Sequence, residues 1–195
     1  MLPTLLIGAA LAGDLVVDAA VPVVVRARGV DLVTVLSAAR VRLLDLPAGA
    51  QAIELSRDGV TQTLTVQVPE QGAAQITVTA GGAVLEPKPA PPRAVPSLEL
   101  RAPADQRFAT VLDGARILTW DGGHPVALEG LTPGAHSLDL RSPDLQTIWA
   151  RGTLTLEPVD RLIATLTAGR SLEVVGRSGA FSPSTGSSAA QDQGD

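Results

Sequence analysis

The sequence predicts an all-β chain built as two tandem copies of a small antiparallel β-sandwich domain. A long-period internal repeat carries the duplication: Leu46-Pro47-Ala48-Gly49-Ala50-Gln51-Ala52-Ile53-Glu54-Leu55 matches Leu131-Thr132-Pro133-Gly134-Ala135-His136-Ser137-Leu138-Asp139-Leu140 at an offset of 131 − 46 = 85. The match runs back without a gap to Gly29 and Gly114, with Thr34/Thr119, Val41/Val126 and Leu43/Leu128 in step. A second block, Thr77-Val78-Thr79-Ala80-Gly81 against Thr165-Leu166-Thr167-Ala168-Gly169, has an offset of 165 − 77 = 88, so three residues are inserted between the blocks in the second copy. A period of this length describes a repeated domain rather than a solenoid of short units. The strand prediction rests on short runs rich in Val, Leu, Ala and Thr separated by turn residues. Outside the N-terminus no stretch keeps a helical period.

Along copy one, Leu15 to Val17 and Val21 to Val25 read as strands, Pro22 making the second an edge strand or a strand start. Leu32 to Leu36 and Val41 to Leu44 follow, and Pro47-Ala48-Gly49 turns the chain. Alternation then becomes regular: Ile53 and Leu55 face one side, Ala52 and Glu54 the other. Asp58-Gly59 is a two-residue hairpin signal. Leu64, Val66 and Val68 point inward, Thr63, Thr65 and Gln67 outward, and Ile76 and Val78 close the copy. Copy two repeats the order through Leu98/Leu100, Phe108 to Leu112, Ile117 to Trp120, Val126/Leu128, His136 to Leu140, Ile148 to Leu156 and Leu162 to Leu166. Leu172 to Val175 supplies one more edge strand. Gly49 and Gly134 are predicted to hold positive φ at their turns, a conformation only glycine adopts cheaply.

The remaining segments complete the expected organisation. Residues 1–12 read as a signal peptide with a short helix: an apolar run ends in Ala10-Leu11-Ala12, an A-x-A cleavage pattern, and is too short to span a bilayer. Residues 13–85 and 97–176 are the two domains. Between them, 86–96 contains Glu86-Pro87-Lys88-Pro89-Ala90-Pro91-Pro92-Arg93, expected to run as polyproline II and hold the domains apart. Residues 177–195, mostly Ser, Gly, Ala, Gln and Asp, read as a disordered tail. Each copy is small, so each core is modest and its stability marginal without its neighbour.

Composition narrows function. There is no cysteine, which excludes disulfides, thiolate metal sites and a lipid-modified cysteine. The net charge of −5 argues against nucleic acid and anionic lipid as partners. No second apolar stretch is long enough to span a membrane in the mature chain. Catalytic candidates are sparse. Only His124 and His136 could act as a base or a histidine ligand. His136 shares parity with Leu138 and Leu140, and its counterpart Gln51 cannot replace a base, so it reads as a polar residue bonding a loop at the core edge. His124, in Asp121-Gly122-Gly123-His124-Pro125, has one nearby carboxylate, too few groups for a closed zinc site. No G-x-S-x-G elbow is present, Gly81-Gly82 is too isolated to cradle a phosphate, and Asp139 and Asp144 read as carboxylates at a solvated strand end. No catalytic residue, metal or cofactor is expected.

Trp149 is the leading binding candidate. With Ile148, Ala150 and Leu154 on the inner face, Trp149 points outward beside Arg151 and Thr153, a contact suited to a partner or a sugar ring. The favoured reading, however, is a bulge near the three inserted residues that turns the ring inward, or cover from the other domain or the linker. Trp120 caps one end of its domain, and it and His124 complete the candidate binding set.

Copy two also resembles a known pattern. Val111-Leu112-Asp113-Gly114, then Leu128-Glu129-Gly130-Leu131-Thr132-Pro133-Gly134-Ala135-His136-Ser137-Leu138, is similar to the PEGA domain family, in which a strand ends in a D-G turn and an L-x-x-G-x-H-x-[LV] segment follows. Copy one departs from it, with Arg28 at the Asp position and Gln51 at the His position. Copy two has Pro143-Asp144-Leu145 where the family often has a glycine-aromatic pair. The resemblance implies a small β-sandwich of bacterial envelope and surface proteins, used in tandem for binding or spacing, without catalysis. The expected protein is therefore a non-catalytic periplasmic, cell-envelope or secreted protein with an envelope or surface protein as partner. The alternative is a module for cell-wall glycan that uses Trp149.

Overall fold

The computed structural model describes residues 12–86, 96–158, 160–167, 172–175 and 182–183. Copy one folds into β1 (Ala12–Ala19), β2 (Val23–Ala27), β3 (Val30–Val35), β4 (Ala39–Pro47), β5 (Gly49–Arg57), β6 (Val60–Val68), β7 (Ala73–Thr79) and β8 (Gly82–Glu86). Copy two repeats the series as β9 (Ser97–Arg101), β10 (Arg107–Leu112), β11 (Arg116–Asp121), β12 (Val126–Glu129), β13 (Gly134–Arg141), β14 (Ile148–Leu156), β15 (Arg161–Leu166) and β16 (Leu172–Val175). A two-residue strand, β17 (Ser182–Pro183), follows. No helix occurs among the described residues. The signal-peptide reading falls on residues 1–11, outside the described residues, and Ala12 already belongs to β1. The linker at 87–95 also lies outside them, as does the tail apart from β17, which pairs with β14 through Gly152↔Pro183 and Thr153↔Ser182.

Each copy places its first, fourth, seventh and eighth strands in one sheet and its second, third, fifth and sixth in the other. The expectation of a purely antiparallel sandwich fails in one pair per copy: β1 runs parallel to β7, and β9 parallel to β15. These strands open and close their copy, and the chain between them crosses to the other sheet and back, so they meet running the same way. Alternation holds in β5 and β6. Ile53, Leu55, Val66 and Val68 are buried while Thr63, Thr65 and Gln67 are exposed. Asp58 and Gly59 both have positive φ, the type I′ turn that matches strand twist. Gly49 and Gly134 sit at φ +100 and +127, as predicted, each opening the strand that switches sheets after the Pro47 and Thr132-Pro133 turns.

The two copies are not spaced apart. The eight-stranded sheet runs β16-β15-β9-β12-β4-β1-β7-β8, and the nine-stranded sheet runs β17-β14-β13-β10-β11-β3-β2-β5-β6. Each crosses from one copy to the other in its middle. The seam registers are self-equivalent: Arg42 pairs with Ala127 (42 + 85) and Thr34 with Thr119 (34 + 85), with Val41↔Leu128 and Leu43↔Val126 flanking the first pair. Equivalent strands therefore meet antiparallel about a local pseudo-two-fold axis. One buried cluster includes Val17, Val41 and Ile53 of copy one together with Phe108, Leu128 and Leu138 of copy two. This shared core corrects the picture of two separate sandwiches on a strut. Joining removes two sheet edges from each copy and enlarges a core that would be small alone.

Charges at the seam are complementary. Glu129, with no exposed side chain, accepts from Arg42 Nε at 2.5 Å and from Arg40 Nε at 3.1 Å. Arg42 also reaches Asp14 at 3.4 Å and is 3% exposed. In the other sheet Asp31 binds Arg26 of its own copy and Arg107 of the other, the latter at 3.2 Å. These ion pairs hold the Asp31 carboxyl below its ordinary range, the hydrogen bond from Arg26 contributing most. Leu36 N–H donates to Ile117 O at 2.9 Å, and Ile117 N–H donates to Ser37 Oγ at 2.9 Å, extending the seam beyond the strands.

Candidate interaction surface

The two outer ends of the molecule share a strand order and differ in filling. At the copy-one end the β5–β6 and β7–β8 hairpins frame a cleft of about 260 Å³. Val23, Leu55 and Val78 are apolar lining residues, and Arg57, Asp58 and Gln62 are polar ones. The turn residues dictate this shape: Asp58-Gly59 closes one hairpin, and Gly82, at φ +124, begins the returning strand of the other. Side chains bridge the hairpins. Arg57 Nη1 donates to Thr79 O at 3.0 Å, and Gln62 accepts from Ala83 N–H at 3.2 Å while donating to Ala83 O at 3.4 Å. Val60, at the rim, is 71% exposed. This volume falls just below the roughly 300–1,000 Å³ of sites for drug-sized ligands, so it suits one aliphatic side chain or a small apolar group. The lining holds no histidine, cysteine or serine.

Copy two carries larger groups at the matching positions. Register places Phe108 (opposite Trp120) where copy one has Val23 (opposite Val35). Phe108 meets Trp120 edge-on, ring centroids 4.3 Å apart. Trp120 is 2% exposed, and its indole Nε1–H donates to Thr110 Oγ1 at 3.0 Å. It is core, not a binding surface. Two of the three inserted residues lie in the Ser142–Thr147 loop between β13 and β14, six residues between Arg141 and Ile148 against four between Ser56 and Thr61, closed by Ser142 N–H to Thr147 O at 2.8 Å; the third is Trp149. The register then shifts. Leu140 pairs with Ala150 and Arg141 with Ile148, leaving Trp149 as the extra residue of a bulge. Half-buried Trp149 packs against the core and Ile148 is 43% exposed, the inward turn expected of a bulge beside the insertion rather than that of strict alternation. Because a bulge offsets the alternation by one residue, strand parity alone misassigned this pair.

Arg151 forms a two-pronged bond to Asp139, Nε to Oδ1 at 2.7 Å and Nη2 to Oδ2 at 2.8 Å. Arg141 adds a third at 2.7 Å. Asp139 is thus a buried carboxylate held below its ordinary range chiefly by Arg151, against the opposing effect of burial, and not the solvated one expected. Asp144 instead lies exposed in the inserted loop, held below its ordinary range by Ser142. His124 sits half-buried in the β11–β12 loop, where Gly123 N–H donates to Asp121 Oδ1 at 3.1 Å. Among the described residues no three acidic, histidine or cysteine side chains cluster as metal ligands do.

His136 is buried and latches two turns, as its parity indicates. Nδ1 lies 2.7 Å from Asp113 Oδ2 and Nε2 lies 2.7 Å from Thr132 O, while Asp113 Oδ1 accepts from Ser137 N–H at 2.9 Å. Copy one builds the same latch from other chemistry. Gln51 Nε2 donates to Pro47 O at 3.1 Å, and Gln51 Oε1 accepts from Arg28 at 3.4 Å. The positions correspond one to one: Gln51 with His136, Arg28 with Asp113, Pro47 with Thr132. A latch preserved through a change of both partners is a structural device.

Two glycines escaped sequence reasoning. A Cβ on Gly122 would lie 1.8 Å from Pro103 O, and one on Gly13 would lie 1.9 Å from Pro69 O. Both are contacts between distant loops or strands that no local signal announces. At Gly49 and Gly134, by contrast, the space is open and only φ requires glycine. No helix of the described residues is long and apolar enough to cross a membrane. No family model matches the chain, and no curated protein matches it.

Proposed function

We propose that this is a non-catalytic cell-envelope or secreted protein whose fused copies form a rigid body presenting the copy-one end to a protein partner. The supporting observation is the asymmetry of the two ends: the cleft of copy one has an apolar floor and a hydrogen-bonding rim, while copy two carries Phe108 in place of Val23 and adds the bulged Trp149, which has no counterpart in copy one. The partner offers one aliphatic side chain to Val23, Leu55 and Val78, and polar atoms beside it to Arg57 and Asp58. Export rests on the apolar run ending Ala10-Leu11-Ala12. The Asp113-Gly114 turn and His136 support kinship with PEGA domains, since the two motif residues bond each other. A cell-wall glycan needs an open aromatic platform, and half-buried Trp149 does not favour that reading.

The test uses Val23→Phe, which gives copy one the residue copy two carries. A photo-crosslinking residue at Val60 should trap one envelope protein in cells expressing the parent chain and lose it with Val23→Phe, while the variant keeps its fold. Equal trapping by both chains would dismiss the cleft. Recovery of the full-length chain in the cytosolic fraction would dismiss export.

A further inference from the structure

We propose that the open edge of the nine-stranded sheet, β6, is a self-recognition surface that pairs antiparallel with β6 of a second copy of this chain about a two-fold axis at Leu64. The inference rests on the strand edge rather than on the cleft, with which β6 shares Val60 and Gln62. In the sheet order of the described residues β6 is terminal, whereas its counterpart β14 at the opposite end pairs with β17 at Gly152 and Thr153. The type I′ turn at Asp58-Gly59 sets which backbone groups are free. Arg57 and Val60 form the hydrogen-bonded pair beside that turn, so Gln62, Leu64, Val66 and Val68 also turn their N–H and C=O toward β5. Thr61, Thr63, Thr65 and Gln67 aim theirs at the open edge.

Exposed edges are normally protected by a charge, a proline, a bulge or short length. Across Val60–Val68, nine residues, β6 has no charged residue and no proline, and its register with β5 is unbroken. β14 carries both Arg151 and a bulge. The β6 sequence is also uncharged and symmetric about Leu64 at two of its four pairs. Antiparallel self-pairing sets Val60 against Val68 and Thr63 against Thr65, Thr61 against Gln67, Gln62 against Val66, and Leu64 against itself. The free backbone groups then fall opposite one another in hydrogen-bonded pairs, with no like charges juxtaposed. The molecule already uses this device internally, since β3 and β11 extend the same sheet by pairing equivalent strands about a local two-fold axis.

The experiment is sedimentation of the full chain from micromolar to millimolar concentration, together with Thr63→Lys/Thr65→Lys. Both threonines are exposed, and that pair of substitutions sets lysine against lysine across the axis. The parent mass should rise toward twice the monomer value while the double variant stays monomeric with an unchanged melting temperature at dilution. Because the chain has no cysteine, Leu64→Cys gives a second reading: it should form a disulfide-linked dimer under mild oxidation, and Ala52→Cys, on the neighbouring strand, should not. A parent that stays monomeric throughout, a dimer that survives both lysines, or equal cross-linking at Ala52 would overturn the proposal. So would a monomer that accepts only a foreign extended peptide on β6.

Discussion

At the seam, copy one presents Arg40 and Arg42 where copy two has Pro125 and Ala127, and copy two presents Glu129 where copy one has Leu44. At the outer ends copy one keeps Val23 and a tight Asp58-Gly59 hairpin, while copy two has Phe108, an inserted loop and the bulged Trp149. The strand order agrees in both copies, so at the seam the differences isolate what side chains decide, while at the outer ends the insertion and bulge change the backbone as well. Two copies of copy one meeting at this seam would set Arg42 against Arg42 on the axis. Joining copy one to copy two sets Arg42 opposite Ala127 and both arginines on Glu129 instead. Divergence has thus made the intramolecular pairing preferred over pairing of like copies.

The sharpest way to break the comparison is steric. Gly122→Val drives a methyl group into Pro103 and should prevent folding, a loss above about 4 kcal/mol, while Gly134→Val meets no atom and costs about 1–3 kcal/mol from φ alone. Denaturant unfolding of both variants checks the order. Next comes the seam. Glu129→Ala leaves buried Arg42 and half-buried Arg40 without that carboxylate and should cost about 3–5 kcal/mol, whereas Asp58→Ala, at an exposed pair, should cost under about 1 kcal/mol. The latch gives a subtler exchange. His136→Ala strands Asp113 and Thr132 O and should cost about 1–3 kcal/mol, and His136→Gln, copying Gln51, should recover part of that loss.

The smallest effect is acid sensitivity. Asp31 and Asp139 have folded pKa values lowered from 3.8, so their stabilisation is complete above the unfolded value and is lost as pH falls through the lower folded values. Stability should drop below about pH 4, and Asp139→Asn should flatten that acid limb while lowering stability at neutral pH. Stability measured from pH 2 to 6 reads both.

Much of this was legible in sequence because duplication wrote it twice. The offsets located every equivalent strand and the inserted loop, and alternation in β5 and β6 gave their buried faces. The seam was not legible. Pairing of β4 with β12 and β3 with β11 joins strands about 85 residues apart, and no local pattern encodes which edge meets which. One signal was available: Arg40 and Arg42 alternate with Val41 and Leu43, and Glu129 interrupts the matching apolar strand, so charges of opposite sign stand at nearly equivalent places. Trp149 was legible only through the insertion: strict alternation turns it outward, and the bulge expected beside the inserted residues turns it inward. Gly13 and Gly122 were invisible because the atoms that exclude a side chain there belong to distant segments.

Calorimetry of the full chain tests the fused core most directly. One core spanning both copies predicts a single unfolding transition whose calorimetric and van't Hoff enthalpies agree, a ratio of about 1. Two separable transitions, or a ratio approaching about 2, would show two sandwiches melting independently and would contradict it.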